Sequence, residues 1–427
     1  LFIFADDWGY GDLGCYGHPE LKTPHLDRLA SQGTRFMQFH VSSGVCSPSR
    51  TTVMTGHYPA RHGIHGHFAR FDQNAQRGMP NWLDPGVHTL PRLLQQGGYR
   101  TAHYGKWHLG GGGGQHGHPD APIPAVYGYD DTRVWNGNGP TWLGRNPWPF
   151  ALHNDVDEQF LPHSDGLAVE SAMNFIELDP GRPFFINLWL RAPHTPLRAT
   201  EEQRKPYTNT AEPWQTYYSV LTEADRQIGR LLNKLDELGV ADNTLVIFSS
   251  DNGPESANPG NAETRYCQGS TGGLRGRKRS LYEGGIRVPF IVRWPGHTPA
   301  NAIDFDSLLS SADLLPTFCS IAGVELPGDL QPDGVNIRNA FMGKEFHRTQ
   351  PLMWEWRFAN PREDSRECPM HAIRESDFVL LKNPGGNRVE LYDIKKDHSQ
   401  LNNVADRYPD KVESLSKQLD IWTGSLR

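Results

Sequence analysis

Leu1-Phe-Ile-Phe-Ala-Asp-Asp7 and Thr244-Leu-Val-Ile-Phe-Ser-Ser-Asp-Asn-Gly253 have the same construction: a short apolar run that ends on acidic and amide side chains. An unbroken apolar run bounded by polar turn residues is the pattern of a strand buried on both faces, as in a parallel sheet covered by helices. Each run therefore brings a pair, Asp6 with Asp7 and Asp251 with Asn252, to the carboxyl end of a strand. Phe184 to Leu190 leads in the same way into Arg191-Ala-Pro-His194, and Tyr99 to Tyr104 leads into Gly105-Lys-Trp-His108. Four strands thus feed polar clusters, and an open α/β sheet binds its ligands outside the carboxyl ends of its strands.

The intervening segments read as helices. Thr23 is placed as an N-cap, with Pro24 at the first helical position, Leu26, Leu29 and Ala30 on one face, and a stop at Gly33. Thr89 to Gly97 repeats that design, and the stretch from Glu212 to Gly239 carries an apolar stripe from Val220 to Leu238. Alternating strands and helices predict an α/β fold: a mostly parallel sheet sandwiched by helices, spanning residues 1–330. From 331 to 427 the pattern changes to short strands around Gly386-Asn387, then a helix bearing Val412, Leu415, Leu419 and Trp422, which predicts a small sheet with one packed helix. Gly110 to Gly114, continuing to Pro149, reads as a long irregular loop beside a polar cluster.

The chain has 427 residues and a formal charge of -7. With no basic excess, nucleic acid is not an expected partner. No apolar run reaches the roughly 20 residues of a membrane-spanning helix. The five cysteines show no metal-binding spacing. Because the sequence opens inside a strand-like run, the original N-terminus is expected to have been cut away or left out, so the absence of a signal says nothing about compartment.

Asp6, Asp7, Asp251 and Asn252 are hard oxygen donors, suited to Ca2+ or Mg2+ rather than to zinc or copper. Either pair taken singly is also ordinary turn or cap chemistry. Cys46-Ser-Pro-Ser-Arg50 begins a helix with Cys46 at its head, and only three residues separate Cys46 from Arg50, too few for the phosphate cradle of a cysteine phosphatase.

The strings Phe4-Ala-Asp-Asp-Trp-Gly-Tyr-Gly-Asp-Leu-Gly14, Cys46-Ser-Pro-Ser-Arg50, Gly105-Lys-Trp-His-Leu-Gly110, Pro193-His-Thr-Pro196, Asp251-Asn-Gly253, Leu274-Arg-Gly-Arg-Lys278, Tyr282-Glu-Gly-Gly285 and Glu390-Leu-Tyr-Asp393 together resemble the type I sulfatases of the alkaline phosphatase superfamily, in particular the arylsulfatase and N-acetylgalactosamine-6-sulfatase branch. The resemblance covers nearly the whole chain. It implies an α/β sandwich around a large mixed sheet, followed by a smaller C-terminal antiparallel sheet. It also implies that Cys46 is oxidised to formylglycine by a maturation enzyme, and that Asp6, Asp7, Asp251, Asn252 and the modified Cys46 hold Ca2+, with Mg2+ as the other suitable dication.

In the roles that resemblance implies, Arg50 holds the formylglycine, Lys106 and Lys278 grip the sulfate, His108 contacts the formylglycine hydrate, and His194 faces the ester oxygen. Asp251 and the metal then activate the attacking hydroxyl, His194 with Lys278 protonates the leaving alcohol, and His108 takes the second proton. The chain departs from the family at Arg277-Lys278-Arg279, where Gly-Lys-Gly is usual. The expected substrate is an O-sulfate monoester of a sulfated carbohydrate, met in the periplasm or outside the cell. Two other readings stand beside it: a phosphonate monoester or phosphodiester hydrolase of the same superfamily, and a non-catalytic binder of sulfated glycans should Cys46 stay unmodified.

His57, His62, His65 and His67, with Arg61 and Arg70, crowd the loop after the Cys46 helix. They read as a zinc site, as exposed loop, or as a polar wall against the sugar; the wall is the expectation, with His65, His67 and Arg70 as substrate contacts. Trp135, Trp142, Trp148 and Trp189 read equally as sugar-stacking or as core residues.

Overall fold

The computed structural model describes residues 1–110, 120–136, 160–358 and 368–426. In chain order its strands are β1 (Phe2–Ala5), β2 (Thr34–Phe36), β3 (Phe39–His40), β4 (Arg100–Lys106), β5 (Asp131–Trp135), β6 (Phe184–Trp189), β7 (Val246–Ser250), β8 (Phe290–Arg293), β9 (Ala302–Asp304), β10 (Leu309–Ser310), β11 (Leu352–Glu355), β12 (His371–Glu375), β13 (Phe378–Lys382) and β14 (Val389–Asp393). Eight of them form one sheet in the order β5-β4-β6-β1-β7-β8-β2-β9. All its pairings are parallel except those of β8 with β7 and β2, so β8 alone opposes the rest. The mostly parallel sheet expected from the alternating pattern is present, and it is large and mixed as the resemblance implied.

The apolar run of β1 is continuous because both its faces are covered. Ile3 and Ala5 join a core made with the long helix Trp214–Glu237 and the helix Ser164–Leu178, through Leu221, Ile228, Leu231, Ala168 and Ile176. Phe2 and Phe4 point the other way, onto a core shared with the helices Cys46–Thr55, Leu90–Gln96 and Leu314–Ala322. At about 25 cal/mol per Å2 of apolar surface removed from water, such two-sided burial stabilises the central strands most. The acids at their ends inherit that rigidity.

Pro24–Ser31 forms the first helix with Leu26, Leu29 and Ala30 buried. The Thr23 hydroxyl makes no capping bond; it accepts instead from the Gly14 N–H at 2.9 Å, tying the glycine-rich loop after Asp7 to this helix. The short strands β2, β5, β8 and β9 carry little periodicity of their own and take their place through pairing.

The four-stranded antiparallel sheet β11-β12-β13-β14 lies between two apolar layers. Leu352, Trp354, Val379 and Leu381 face the large-sheet core, while Met353, Ile373, Leu380 and Leu391 meet Leu415, Leu419 and Trp422 of the helix Pro409–Ser425. Among the described residues no helix is long and apolar enough to cross a membrane. Trp135 and Trp189 are core residues, fully buried, which removes both as stacking platforms. Trp142, Trp148 and the loop from Gly111 through Pro149, apart from residues 120–136, lie outside the described residues.

Candidate active site

Adjacent side chains on an extended strand point to opposite faces, so Asp6 and Asp7 could not meet one ligand if β1 simply continued. The backbone turns left-handed at Asp7, with φ +69°, an uncommon conformation for a non-glycine residue that concentrates at functional sites. Both carboxylates then converge. His108 (φ +50°) and Arg279 (φ +70°) are two more of the six such non-glycine residues described, and both border the same centre. Gly105, at φ +107°, lies where a Cβ would stand 2.0 Å from the Trp189 carbonyl, and this close passage of β4 against β6 aims Lys106 inward.

Cys46 is the first residue of its helix, with Val45 as N-cap. Its Sγ lies 3.5 Å from Asp6 Oδ1 and 3.7 Å from Lys106 Nζ, so the buried sulfur is surrounded by charge rather than by hydrocarbon. Burial above all pushes its thiol up to about 12. Arg50, one turn along the helix, reaches Asp251 Oδ2 with Nη2 at 2.6 Å and with Nε at 3.1 Å, and its Nη1 donates to the Lys106 carbonyl at 3.3 Å. Lys106 Nζ bonds Asp6 Oδ2, and Lys278 Nζ lies 2.6 Å from Asp7 Oδ1. Three carboxylates are thereby matched by three cations, all buried.

Burial works to raise Asp6, yet Lys106, His194 and Arg50 hold it well below the usual carboxylate range. Burial and then the neighbouring Asp6 carboxylate push Asp251 the other way, against Arg50. Lys278 is held above the ordinary lysine value by Asp7, against the cost of burial, and so keeps its charge.

Asp6, Asp7, Cys46 and His194 bring ligand atoms within 4.8 Å of one another, the one such group found among the described residues. Asn252 donates Nδ2 to Asp7 Oδ1 at 2.7 Å, while its Oδ1 is buried with no hydrogen-bond partner. An orphaned buried carbonyl oxygen is costly. Beside two carboxylates it fits a hard divalent cation. Asp251, read from the sequence as a further ligand, has its Oδ2 engaged by Arg50 and accepts the Asp7 N–H on Oδ1 at 3.2 Å.

The two histidines have defined tautomers, because a carbonyl can only accept. His108 Nε2 donates to the Phe68 carbonyl at 3.1 Å, which leaves Nδ1 as a buried acceptor without a partner. Burial, then Lys106 and His67, keeps this ring well below the usual histidine value, hence neutral. His194 Nδ1 donates to the Thr195 carbonyl at 2.6 Å, and its Nε2 faces Asp7 at 3.8 Å. Burial, with Lys106 and Lys278, pushes His194 down to about 4. The ring is therefore neutral in this setting.

The remaining expected contacts separate. His67 is beside the centre, its ring 6.3 Å from that of His108. His65 turns away to Glu355 of β11, at 2.6 Å. Arg70 is exposed and paired with Asp72 at 3.0 Å. His57 and His62 touch each other at 3.2 Å, and among the described residues the loop gathers no third metal donor.

Three residues that the motifs did not mark support the site. Glu255 binds Arg279 and lies 3.9 Å from Lys278. Arg191 is buried and holds the loop of His194 by donating to the His194 and Pro196 carbonyls, and Asp165 accepts its backbone N–H. A charged residue straight after a buried strand was the available signal for Arg191; Glu255 carried none.

A buried cysteine at a helix head, set against aspartates at the carboxyl ends of β1 and β7 with two lysines beside them, is an arrangement suited to a hydrolase of anionic esters. Comparison with known proteins narrows this. Residues 1–324 match the Sulfatase family model, and residues 276–422 match that of the N-sulphoglucosamine sulphohydrolase C-terminal region. The chain is 30% identical to an N-acetylgalactosamine-6-O-sulfatase of Bacteroides thetaiotaomicron, covering 98% of this chain and 92% of that one. It is 32% identical to the N-acetylgalactosamine-6-sulfatase of Canis lupus familiaris, covering 86% and 74%. Among solved structures, Ps i-CgsB in complex with k-i-k-neocarrahexaose superposes with a TM-score of 0.83 at 26% identity, covering 100% and 92%. The chain belongs to the sulfatase family and is a sulfuric ester hydrolase.

Proposed function

We propose that this chain hydrolyses O-sulfate monoesters of a sulfated carbohydrate, with Cys46 matured to formylglycine and a Ca2+ ion, or Mg2+, held by Asp6, Asp7, Asp251 and Asn252. The observation that carries the reading is the setting of Cys46: a buried side chain at a helix head, 3.5 Å from Asp6 and 3.7 Å from Lys106. The N-acetylgalactosamine-6-O-sulfatase name of the bacterial relative and the k-i-k-neocarrahexaose bound in the superposed structure support the substrate class.

A sulfate ester repels a nucleophile through its peripheral oxygens, so that charge must be offset before attack. Lys106 and Lys278 stand where they can bind those oxygens, and Arg50 fixes Asp251 against the nucleophile's helix. A dication would give the otherwise balanced cluster the positive excess that an anionic substrate requires. Hydrated formylglycine supplies two hydroxyls on one carbon, one to attack sulfur and one whose deprotonation expels sulfate. His108 Nδ1, the partnerless acceptor, is the base for that second hydroxyl. His194 gains its proton when the substrate's charge adds to those of Asp6 and Asp7, and donates it from Nε2 to the leaving oxygen.

The buried sulfur requires that a maturation enzyme meet this segment before folding closes over it. Placement in the periplasm or outside the cell follows from where sulfated polysaccharides lie. The test is mass spectrometry of the peptide ending at Arg50 in a preparation releasing sulfate: the aldehyde is expected at position 46, and any remaining Cys46 thiol is expected to resist iodoacetamide until the protein is denatured. Full activity with an intact thiol would end the reading. Faster phosphonate than sulfate release from nitrophenyl esters would reassign the chemistry.

A further inference from the structure

Arg279 holds a left-handed backbone, φ +70°, that glycine would adopt without strain. Its side chain remains a third exposed at 32%. Nη1 contacts both Glu255 oxygens at 2.6 Å, which fixes the guanidinium beside Lys278, and a guanidinium retains three further N–H groups after two such bonds. Arg277, by contrast, donates to the Glu255 and Gly269 carbonyls and serves as wall.

Arg77 is bound to the His67 backbone. Its Nη1 donates to the His67 carbonyl at 2.9 Å, its guanidinium lies 5.6 Å from the Phe358 ring centre, and among the described residues no carboxylate comes within ion-pair distance of it. The half-buried His67 ring lies next to that of His108. Burial, then Arg77, Lys278, Arg279 and Lys106, pushes it down to about 3, so the imidazole stays neutral among four cations. Lys106 and Lys278 have carboxylates of their own within the centre, and Arg279 has Glu255; among the described residues Arg77 has none.

We infer that Arg77, Arg279 and His67 form a second anion seat beside the sulfate seat, and that the substrate carries a second acidic group, a sulfate or a carboxylate, next to the ester that is cleaved. This rests on the reading of the substrate as a sulfated saccharide. The second group adds no chemistry; it orients the sugar and selects polyanionic chains.

Arg279→Gly is the informative variant, because glycine suits the backbone there and loss of fold is not the expected outcome. The matured, calcium-loaded protein is assayed on an N-acetylhexosamine monosulfate, the matching disulfate, and the monosulfate linked to a uronic acid. In the wild type at least one of the two dianions is preferred over the monosulfate, and which one is preferred names the second group. In Arg279→Gly the ratio of kcat/KM, dianion over monosulfate, is expected to fall about tenfold or more, mainly through KM, with partial recovery in Arg279→Lys and a similar fall in Arg77→Gln. A ratio unchanged in both Arg279→Gly and Arg77→Gln, or a wild type preferring the monosulfate, overturns the seat. Calorimetric affinities for the same saccharides separate the two readings. A dianion preference in binding that Arg279→Gly abolishes, without turnover of any of them, keeps the seat and sinks the substrate proposal; equal affinities sink the seat.

Discussion

Arg50 and Asp251 form a two-point ion pair, Nη2 at 2.6 Å and Nε at 3.1 Å donating to the one oxygen Oδ2, with both side chains wholly removed from solvent. It joins the helix headed by Cys46 to the end of β7 across 201 residues of sequence.

Breaking such a pair from one side leaves a buried charge uncompensated. Arg50→Ala is expected to destabilise the fold by about 3–5 kcal/mol and to abolish turnover, whereas Arg50→Lys, which keeps the charge but loses the fork, should cost less in urea denaturation. Equal midpoints for Arg50→Ala and the parent would refute the structural role.

His194 should matter in proportion to the poverty of the leaving group. A nitrophenolate departs without a proton and a sugar alkoxide does not. His194→Ala is therefore expected to lower kcat on a sugar sulfate by about 10²–10⁴-fold and on nitrophenyl sulfate far less. Parallel losses on the two substrates would remove it as the acid.

Asn252 Oδ1 is the test of the cation seat. Calcium binding to the native state alone raises stability by about 2.7 kcal/mol at a hundredfold excess over Kd, so chelation should lower the Tm of the parent. In Asn252→Ala the calcium concentration giving half of that shift should rise about tenfold or more, because a coordinating oxygen is lost. An unaltered titration would show that Asn252 is not a ligand.

Two buried carboxyls away from the site should give opposite pH slopes. Asp225 accepts the His25 and Leu26 N–H groups at 3.1 and 2.7 Å, and burial pushes it up to about 7. Between roughly pH 4, where an unfolded aspartate titrates, and about 7 the native state binds more protons, so its contribution is fullest below pH 4 and is lost as pH rises through that window. Glu283 behaves inversely. His40, Arg374 and Arg287 hold it well below the usual range against burial, so its stabilisation is present above about pH 4.3 and lost as pH falls. Asp225→Asn should flatten the first slope and Glu283→Gln the second in denaturation midpoints from pH 3 to 8. If neither variant alters the profile, these carboxyls are not the titrating groups.

The order of legibility follows the range of the interactions. β1, β4, β6 and β7 are readable because burial on both faces leaves unbroken apolar runs, and the long helix is readable because burial on one face leaves a stripe. The strand β8, antiparallel in an otherwise parallel sheet, is not readable: its direction is decided by which neighbours it finds. Asp6, Asp7, Cys46 and Lys106 stand in strings specific enough to be singled out. Glu255 and Arg77 acquire their parts only from what folds against them, and the loop of His65 divides into residues that face the centre and residues that do not.

The amino-acid order by itself determined the layered α/β architecture, the small terminal sheet and the identity of the groups that carry charge at the strand ends, since all of these rest on local periodicity and composition. Among the described residues, the three-dimensional arrangement alone decided which oxygens are left without partners, which histidine nitrogen holds its proton, and which arginines remain uncompensated. Those properties depend on distance and burial between residues remote in the chain, and no local pattern encodes them.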